Sequence, residues 1–370
     1  MTLPRHAEIW LAGYLRSAVR ARRERARVRG VIDVIFAIVD HFEPLHGGVS
    51  RETGLARVRA WRDRYPAAVA PFVDADGRHP RHTFFFPVEQ YEPEFLEPLA
   101  ELTCLGLSEV EVHLHHDGDT AEHLRSDLER FTATLHDRHG LLAKDLEGRV
   151  RYGFIHGNWA LANSLPSRRW CGVDAELQVL QATGCYADFT LPAAPSPAQT
   201  RTVNQVYYAD TRSGVPKGHD LGVRASAGRS PSPADLLIVQ GPLAPSWYRA
   251  KWGIVPRIES GALDAANPPT CRRFADWFAC GISVEGRPEW VFVKVHTHGA
   301  PERNAEALLG PATAAFHREV LSQFNDGARY RFHYVTAREL VNLIHAAEAG
   351  CAGNAGDYRD SGLPRPPAAR

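Results

Sequence analysis

The sequence predicts an α/β fold built on a mostly parallel sheet or a barrel. Short apolar runs rich in Val and Ile alternate with longer helix-like segments, the order typical of parallel β/α units. The first run, residues 31–39, is apolar almost throughout, as expected for a strand covered on both faces. Several runs end in ionisable residues, and α/β folds place their chemistry at that end of the strands.

The alternation sets the order of the predicted elements. Strands are predicted at residues 31–39, 83–86, 110–114, 150–155, 186–190, 236–239, 290–295 and 330–335. Helices are predicted at residues 94–105, 120–139, 174–183, 272–280, 311–324 and 337–349. Asp119 or Thr120 is the expected cap of the second helix, and Thr336 with Glu339 forms a capping box for the last one.

Stretches rich in Gly, Pro and Ser interrupt this alternation of strands and helices. Residues 190–209 and 215–233 are expected to form long loops or a hairpin, and residues 241–270 are similar. The last of these stretches carries Trp247, Tyr248 and Trp252. These aromatic side chains either anchor the loop to the core or stack on a sugar ring.

One large domain is predicted between two terminal segments. Residues 31–349 contain the alternating elements, and residues 350–370 are predicted to be a disordered tail. Residues 1–30 form a basic helical segment with a large excess of Arg over acidic residues. Such a run favours a solvated or packing helix, and the alternative is peripheral contact with anionic lipid or an acidic partner.

Composition points to a cytoplasmic protein that does not bind nucleic acid. The 370 residues carry 43 Lys and Arg against 43 Asp and Glu, whereas phosphate binding needs a net basic surface. The N-terminus lacks the pattern of a secretory signal, and no stretch is long enough to cross a membrane. The six widely spaced cysteines contain no Cys-x-x-Cys pair, which predicts reduced thiols.

The densest cluster of ionisable residues is His113-Leu114-His115-His116-Asp117, where a predicted strand runs into the start of the next helix. A divalent metal is the simplest reason for so many imidazoles at a strand end. The alternative is a surface cluster in a chain that contains 18 His. On a strand, His113 and His115 point to the same side, whereas a turn after Leu114 would favour His116 as the ligand.

Other predicted strands also end in polar residues, and parallel strands would bring these ends to one rim. The residues concerned are Asp40, His41, His156, Asn158, Asp188, His296 and His298. One carboxylate with two or three imidazoles suits Zn²⁺ with a position left open for water. Such an ion activates water and polarises a carbonyl, which is the chemistry of amide or ester hydrolysis. The sequence contains no Gly-x-Ser-x-Gly elbow and no phosphate-binding Gly-rich loop.

The order of these motifs resembles the polysaccharide deacetylase family, also known as carbohydrate esterase family four. The counterparts of its five motifs are residues 39–41, 109–116, 155–159, 188–192 and 293–296. The resemblance implies a distorted β/α barrel of about seven strands, related to the eight-stranded barrels. It also implies metal-dependent removal of an acetyl group from an N-acetylated or O-acetylated saccharide.

The resemblance suggests roles for the matching residues. Asp40, His113 and one of His115 or His116 would hold the metal. If His41 replaced a missing family carboxylate, Asp40 would be free to act as the general base. His296 would be the general acid, with His298 as its competitor, because imidazole exchanges protons near neutral pH. The third and fourth motifs would place His156, Asn158, Trp159 and Asp188 at the substrate.

Three positions depart from the family pattern. His41 stands where the family has a second Asp, Asp117 stands where its second motif has a second His, and His156 stands where it has Arg. These changes leave open a catalytically inactive barrel that binds saccharide or serves as a scaffold. An amidohydrolase-type metal hydrolase is a further alternative, although the order of Asp40 before His113 disfavours it.

Overall fold

The computed structural model describes residues 3–230, 232 and 234–369, and it confirms the α/β class. The strands in these ranges are β1 (Ile32–His41), β2 (His82–Pro87), β3 (Ser108–Leu114), β4 (Tyr152–His156), β5 (Cys185–Asp188), β6 (Val206–Asp210), β7 (Val223–Arg224), β8 (Asp235–Val239), β9 (Ala244–Lys251), β10 (Val255–Glu259), β11 (Ala262–Leu263), β12 (Trp290–Thr297) and β13 (Tyr330–Tyr334). The α-helices are α1 (Ala7–Arg25), α2 (Arg51–Val69), α3 (Pro93–Cys104), α4 (Ala121–Asp137), α5 (Glu176–Ala182), α6 (Cys271–Ala279), α7 (Glu302–Leu309), α8 (Pro311–Phe324) and α9 (Ala337–Glu348).

Strand β1 is the centre of the main sheet. It pairs in parallel with β12 along one edge, while the other edge is shared by β13 and β2. The sheet continues from β2 through β3, β4, β5 and β8 in parallel, and it ends in the antiparallel strands β6 and β7. The carboxyl ends of the central parallel strands therefore lie along one edge of the sheet.

The main sheet has more strands than the predicted barrel of about seven, and over the described residues it is not a closed barrel. The main sheet has 11 strands within the described ranges, and its hydrogen-bonded path runs from β11 to β7 without closing. Strands β6 and β7 come from stretches predicted to form long loops or a hairpin, and they pair antiparallel; β9 with β10 forms a separate hairpin in the similar stretch that follows. β7 and β11 are only two residues long, too short for a periodic pattern to reveal them.

The alternation of side chains along β1 separates two cores. Phe36 and Ile38 contribute to the core that includes Trp61 of α2, whereas Ala37 and Val39 contribute to the core that includes α9. Successive side chains of a strand point to opposite faces. Asp40 and His41 therefore project to opposite faces although they are adjacent in the chain.

Helix α1 packs on the body through one face. Trp10 and Ala21 are buried, and Glu24 forms an ion pair with Arg224 at 2.6 Å. Leu15 and Val19 lie exposed on another face. Among the helices in the described part of the chain, none is long and apolar enough to cross a membrane.

Residues 350–369 pack on the domain, in contrast to the predicted disordered tail. Arg359 is buried, and its Nη2 lies 2.8 Å from a carboxylate oxygen of both Asp74 and Asp76. The backbone nitrogen of Leu363 donates to the Asn342 side chain at 2.8 Å. The segment has little apolar content, so ion pairs and hydrogen bonds that no local pattern reveals hold it in place.

Candidate metal centre

Imidazoles gather at the carboxyl ends of the central strands. His41 ends β1, His113 lies near the end of β3, and His298 follows β12. The ring centroid of His41 is 5.0 Å from that of His113 and 4.7 Å from that of His298. His115 lies beside His113, with ring centroids 4.5 Å apart. Parallel strand pairing thus brings three predicted segments together.

The carboxylate of Glu43 lies at the centre of these rings. Its Oε1 is 3.4 Å from His113 Nε2, 3.7 Å from His115 Nε2 and 3.8 Å from His298 Nε2. Its Oε2 is 2.8 Å from His46 Nδ1. The rim cluster is defined here as His41, Glu43, His46, His113, His115 and His298. Burial alone would raise the pKa of Glu43, but the imidazoles of His113, His298 and His46 lower it to about 2, so the carboxylate is ionised.

Hydrogen bonds fix the orientation of two imidazoles in the rim cluster. His113 Nδ1 lies 2.8 Å from the carbonyl oxygen of Ile155, which only accepts, so Nδ1 carries the proton. His113 Nε2 then faces Glu43 at 3.4 Å, and this buried nitrogen has no hydrogen-bond partner within the described ranges. His115 Nδ1 similarly lies 2.6 Å from Glu89 Oε1. Metal-binding histidines show this pattern, with the second ring nitrogen bonded to a carbonyl or carboxylate.

The rim cluster is closed on one side and open on the other. His41 and His113 are buried, whereas the side chains of His115 and His298 are each 30 % exposed. The ring of half-buried Trp159 lies 6.3 Å from His41 and 6.5 Å from His298. Trp159 and its neighbour Asn158 adopt left-handed backbone conformations, which non-glycine residues rarely do. A small molecule would therefore reach the imidazoles from the side that exposes His115 and His298.

His296 lies at the inner edge of the rim cluster. Its ring centroid is 6.2 Å from that of His41. Burial and the nearby Lys294 lower the pKa of His296 to about 3, so the imidazole is neutral near pH 7. A neutral imidazole accepts a proton and has none to give as an acid.

Asp40 is placed outside the rim cluster. Its Oδ2 accepts from His82 Nε2 at 2.8 Å, and its Oδ1 accepts from the backbone nitrogen of Gly299 at 2.7 Å. Trp61 donates to the carbonyl oxygen of the same glycine at 3.0 Å. Asp40 therefore anchors the loop that carries His298, because its side chain projects to the opposite face from His41.

Asp188 is fully buried at the end of β5. Its carboxylate accepts from the hydroxyl of Thr190 at 2.7 Å and from the same residue's backbone nitrogen at 3.1 Å. Burial raises the pKa of Asp188 to about 7. The nearby Lys294 donates to the carbonyl oxygens of Phe189 and Leu191 at 2.6 and 2.5 Å. Asp188 and Lys294 thus lie within a buried polar network rather than at the surface.

A second group contains His116 and His156, which the sequence assigned to the same site as His113. We call it the buried cluster, and it consists of His116, His156, Cys171 and Glu176. His116 Nε2 lies 2.9 Å from His156 Nε2 and 3.2 Å from Glu176 Oε1. The chain turns after Leu114, so the adjacent residues His115 and His116 join different clusters.

Sequence patterns missed several members of both clusters. Glu43 and His46 follow β1 within five residues, and their position just after a strand with polar ends was a usable signal. Cys171 and Glu176 come from a loop and the first turn of α5, where no spacing rule connects them to the imidazoles. In a third group, Asp74 and Asp76 pair with Arg359 and Asp76 also pairs with His333, so we assign this group a structural role.

The donors of the rim cluster fit a divalent ion. Imidazole nitrogen and carboxylate oxygen together suit borderline ions such as Zn²⁺. No family model matches the chain, and no curated protein matches it. The functional argument therefore rests on the geometry of the clusters and on the order of the motifs.

Proposed function

We propose that the protein is a metal-dependent hydrolase that removes an acetyl group from an N-acetylated or O-acetylated saccharide. The rim cluster is the proposed active site. Glu43, His41, His113 and His115 are the proposed ligands of a divalent ion, with Zn²⁺ as the best match to their chemistry. The reaction class is supported by the resemblance of the motif order to that of polysaccharide deacetylases.

One observation carries the metal assignment. His113 Nε2 is buried, lacks a hydrogen-bond partner within the described ranges and faces an ionised carboxylate oxygen at 3.4 Å. Leaving a buried polar atom unsatisfied costs about 1–3 kcal/mol. A cation held by His113 and Glu43 would remove that cost.

The ion would supply a Lewis acid that polarises a carbonyl oxygen and makes water more acidic. The chain itself supplies orientation and proton transfer. Ile155 and Glu89 keep the rings of His113 and His115 directed toward Glu43. Half-buried Trp159 offers an aromatic face beside the cluster, where a sugar ring can stack.

His298 is the proposed general acid for the leaving amine or alcohol. Its side chain is partly exposed and lies beside Glu43. The pKa of His298 is lowered by burial, although the carboxylates of Glu43 and Asp40 limit the shift, so this imidazole would first accept a proton from water and then pass it to the leaving group. His296 is the weaker candidate because its more buried imidazole stays neutral.

The finer fold assignment is also a proposal. We infer a distorted barrel from contacts between β12 and the far side of the parallel sheet. Lys294 on β12 donates to two carbonyl groups just after β5. A Cβ at Gly241, after β8, would lie 2.6 Å from the Lys294 carbonyl oxygen, so only glycine permits this approach. These contacts support a sheet that curls toward closure without strand pairing between its far sides.

The test measures metal content and acetate release on the same preparations. The protein, reconstituted with Zn²⁺, is assayed by mass spectrometry for metal and with a panel of N-acetylated and O-acetylated sugars for acetate. His113→Ala is expected to bind one ion fewer per chain and to lose acetate release. His345→Ala is the matched control, because His345 is a half-exposed histidine on α9 that pairs with Glu348 outside both clusters, and it is expected to retain both.

Two outcomes would overturn parts of the proposal. Unchanged metal content in a folded His113→Ala variant would remove the metal assignment. Metal that depends on His113, without acetate release from any acetylated sugar, would remove the deacetylase assignment and favour a saccharide-binding protein.

A further inference from the structure

The buried cluster gathers donors from four places in the chain. His116 follows β3, His156 ends β4, Cys171 lies in the loop beyond, and Glu176 begins α5. One donor atom of each residue lies within 4.8 Å of those of the others. The last three residues are fully buried, and the side chain of His116 is 6 % exposed. Four protein donors in a closed space are typical of structural zinc sites.

The two imidazoles direct their Nε2 atoms at each other. His156 Nδ1 lies 2.5 Å from the carbonyl oxygen of Gly157, which only accepts, so the proton sits on Nδ1. His116 Nδ1 lies 2.9 Å from Asp119 Oδ2 and also serves as a donor. The two Nε2 atoms are 2.9 Å apart, and Glu176 Oε1 lies 3.2 and 3.5 Å from them. These three electron-rich atoms need a shared proton or a metal cation among them.

We propose that His116, His156, Cys171 and Glu176 form a structural zinc site, separate from the rim cluster. Two imidazoles, a thiolate and a carboxylate satisfy the tetrahedral preference of Zn²⁺. The two anionic donors neutralise the charge of the ion, which a buried site requires. Zinc binding would release the thiol proton of Cys171 to solvent. The Cys171 thiol donates to Glu176 Oε2 at 3.4 Å and accepts from the backbone nitrogen of Val173 at 3.4 Å, so a zinc ion would take the place of the thiol proton.

The zinc would hold the loop that carries Trp159. Asn158, Trp159, Ala162 and Asn163 in this loop all adopt positive φ angles between 49° and 56°. Such conformations cost about 1–3 kcal/mol each and persist only where the surroundings enforce them. Glu176 Oε2 accepts from the backbone nitrogen of Ala162 at 2.6 Å, which ties the loop directly to a proposed zinc ligand. The site therefore positions Trp159 beside the rim cluster.

Zinc X-ray absorption on the full chain separates this site from the rim cluster, because the donors of the rim cluster include no sulfur. The reconstituted protein is expected to show a sulfur neighbour of zinc at about 2.3 Å. The sulfur signal is expected to persist in His113→Ala and to disappear in Cys171→Ala. Cys185→Ala is the matched control, because Cys185 is a second buried cysteine outside the cluster, and it is expected to keep the signal.

The spectra of the native protein and of His113→Ala decide the question even if Cys171→Ala does not fold. Zinc surrounded only by nitrogen and oxygen, or a native chain that takes up no zinc, would overturn the proposal. A sulfur signal that persists in a folded Cys171→Ala variant would overturn it as well. Acetate release plays no part in this readout, so failure of the proposed hydrolase function would leave the result unaffected.

Discussion

The rim cluster and the buried cluster use similar side chains in opposite surroundings. The rim cluster has exposed edges at His115 and His298, whereas the buried cluster is closed on all sides by protein. Catalytic metal sites keep a position open for water or substrate, and structural sites fill every position with protein ligands. The comparison shows that exposure separates the proposed roles more clearly than residue type does.

Replacing the glutamate of each cluster by glutamine gives the sharpest contrast between the proposed catalytic and structural roles. Glu43→Gln keeps the shape of the side chain but removes the charge at the centre of the rim cluster. We expect acetate release to fall by more than about 10²-fold, since even groups that merely orient metal ligands contribute about 10- to 100-fold. The free energy of unfolding should fall less than in the corresponding Glu176 variant, because Glu43 is 7 % exposed beside an open site whereas Glu176 is fully buried.

Glu176→Gln should show the reverse pattern. It removes a fully buried charge that lies against two imidazoles and a thiol, and we expect a loss of about 3 kcal/mol in the free energy of unfolding. Urea titration of both variants beside their acetate release checks the contrast. A large loss of stability in Glu43→Gln, with none in Glu176→Gln, would reverse the assignment of the two clusters.

Asp40→Asn tests whether Asp40 affects catalysis by positioning the loop that follows β12. Because Asp40 anchors Gly299 next to His298, we expect kcat to fall by about 10- to 100-fold with KM and metal content nearly unchanged. Steady-state kinetics and metal analysis on the same sample separate the effects. Loss of bound metal in this variant would restore Asp40 as a ligand, as the sequence suggested.

His317 shows how burial alone changes the pKa of an imidazole outside both clusters. Burial lowers its pKa from 6.5 to about 3. Between these values the unfolded chain binds the proton and the folded chain does not, so stability is present above pH 6.5 and is lost as the pH falls. One such proton contributes a slope of up to about 1.4 kcal/mol per pH unit.

His317→Asn removes this titration and retains an acceptor for the hydroxyl of Tyr334, which lies 2.8 Å from His317 Nδ1. We expect the free energy of unfolding to depend less steeply on pH in the variant than in the native protein. Urea titrations at several values between pH 7 and 5 measure the difference. Equal slopes would show that this imidazole gains a proton within the folded protein.

Local sequence patterns were sufficient to predict the long central strands and the caps of two helices. The apolar run at residues 31–39 corresponds to β1, and the runs at 110–114 and 290–295 correspond to β3 and β12. The capping box of Thr336 and Glu339 is present at the start of α9. Thr120 caps α4 by accepting from the backbone nitrogen of His123. These features depend on neighbours within a few residues, which a sequence shows directly.

Strand ends were also sufficient to find much of the rim cluster. His41, His113, His115 and His298 were candidates because each lies at or just beyond a predicted strand end, and parallel pairing brings them together. The sequence had no means of choosing between Asp40 and His41. Their side chains leave β1 on opposite faces, and the packing of Trp61 and α9 decides which face is which.

The sequence by itself determined the alternation of strands and helices and the presence, at strand ends, of side chains that could bind a metal. Only the tertiary structure decided how those side chains divide. It turns the chain between His115 and His116, places Glu43 among the imidazoles, and brings Cys171 and Glu176 to His116. The physical reason is that strand periodicity and capping act over a few residues, whereas a metal cluster depends on contacts between segments far apart in the chain.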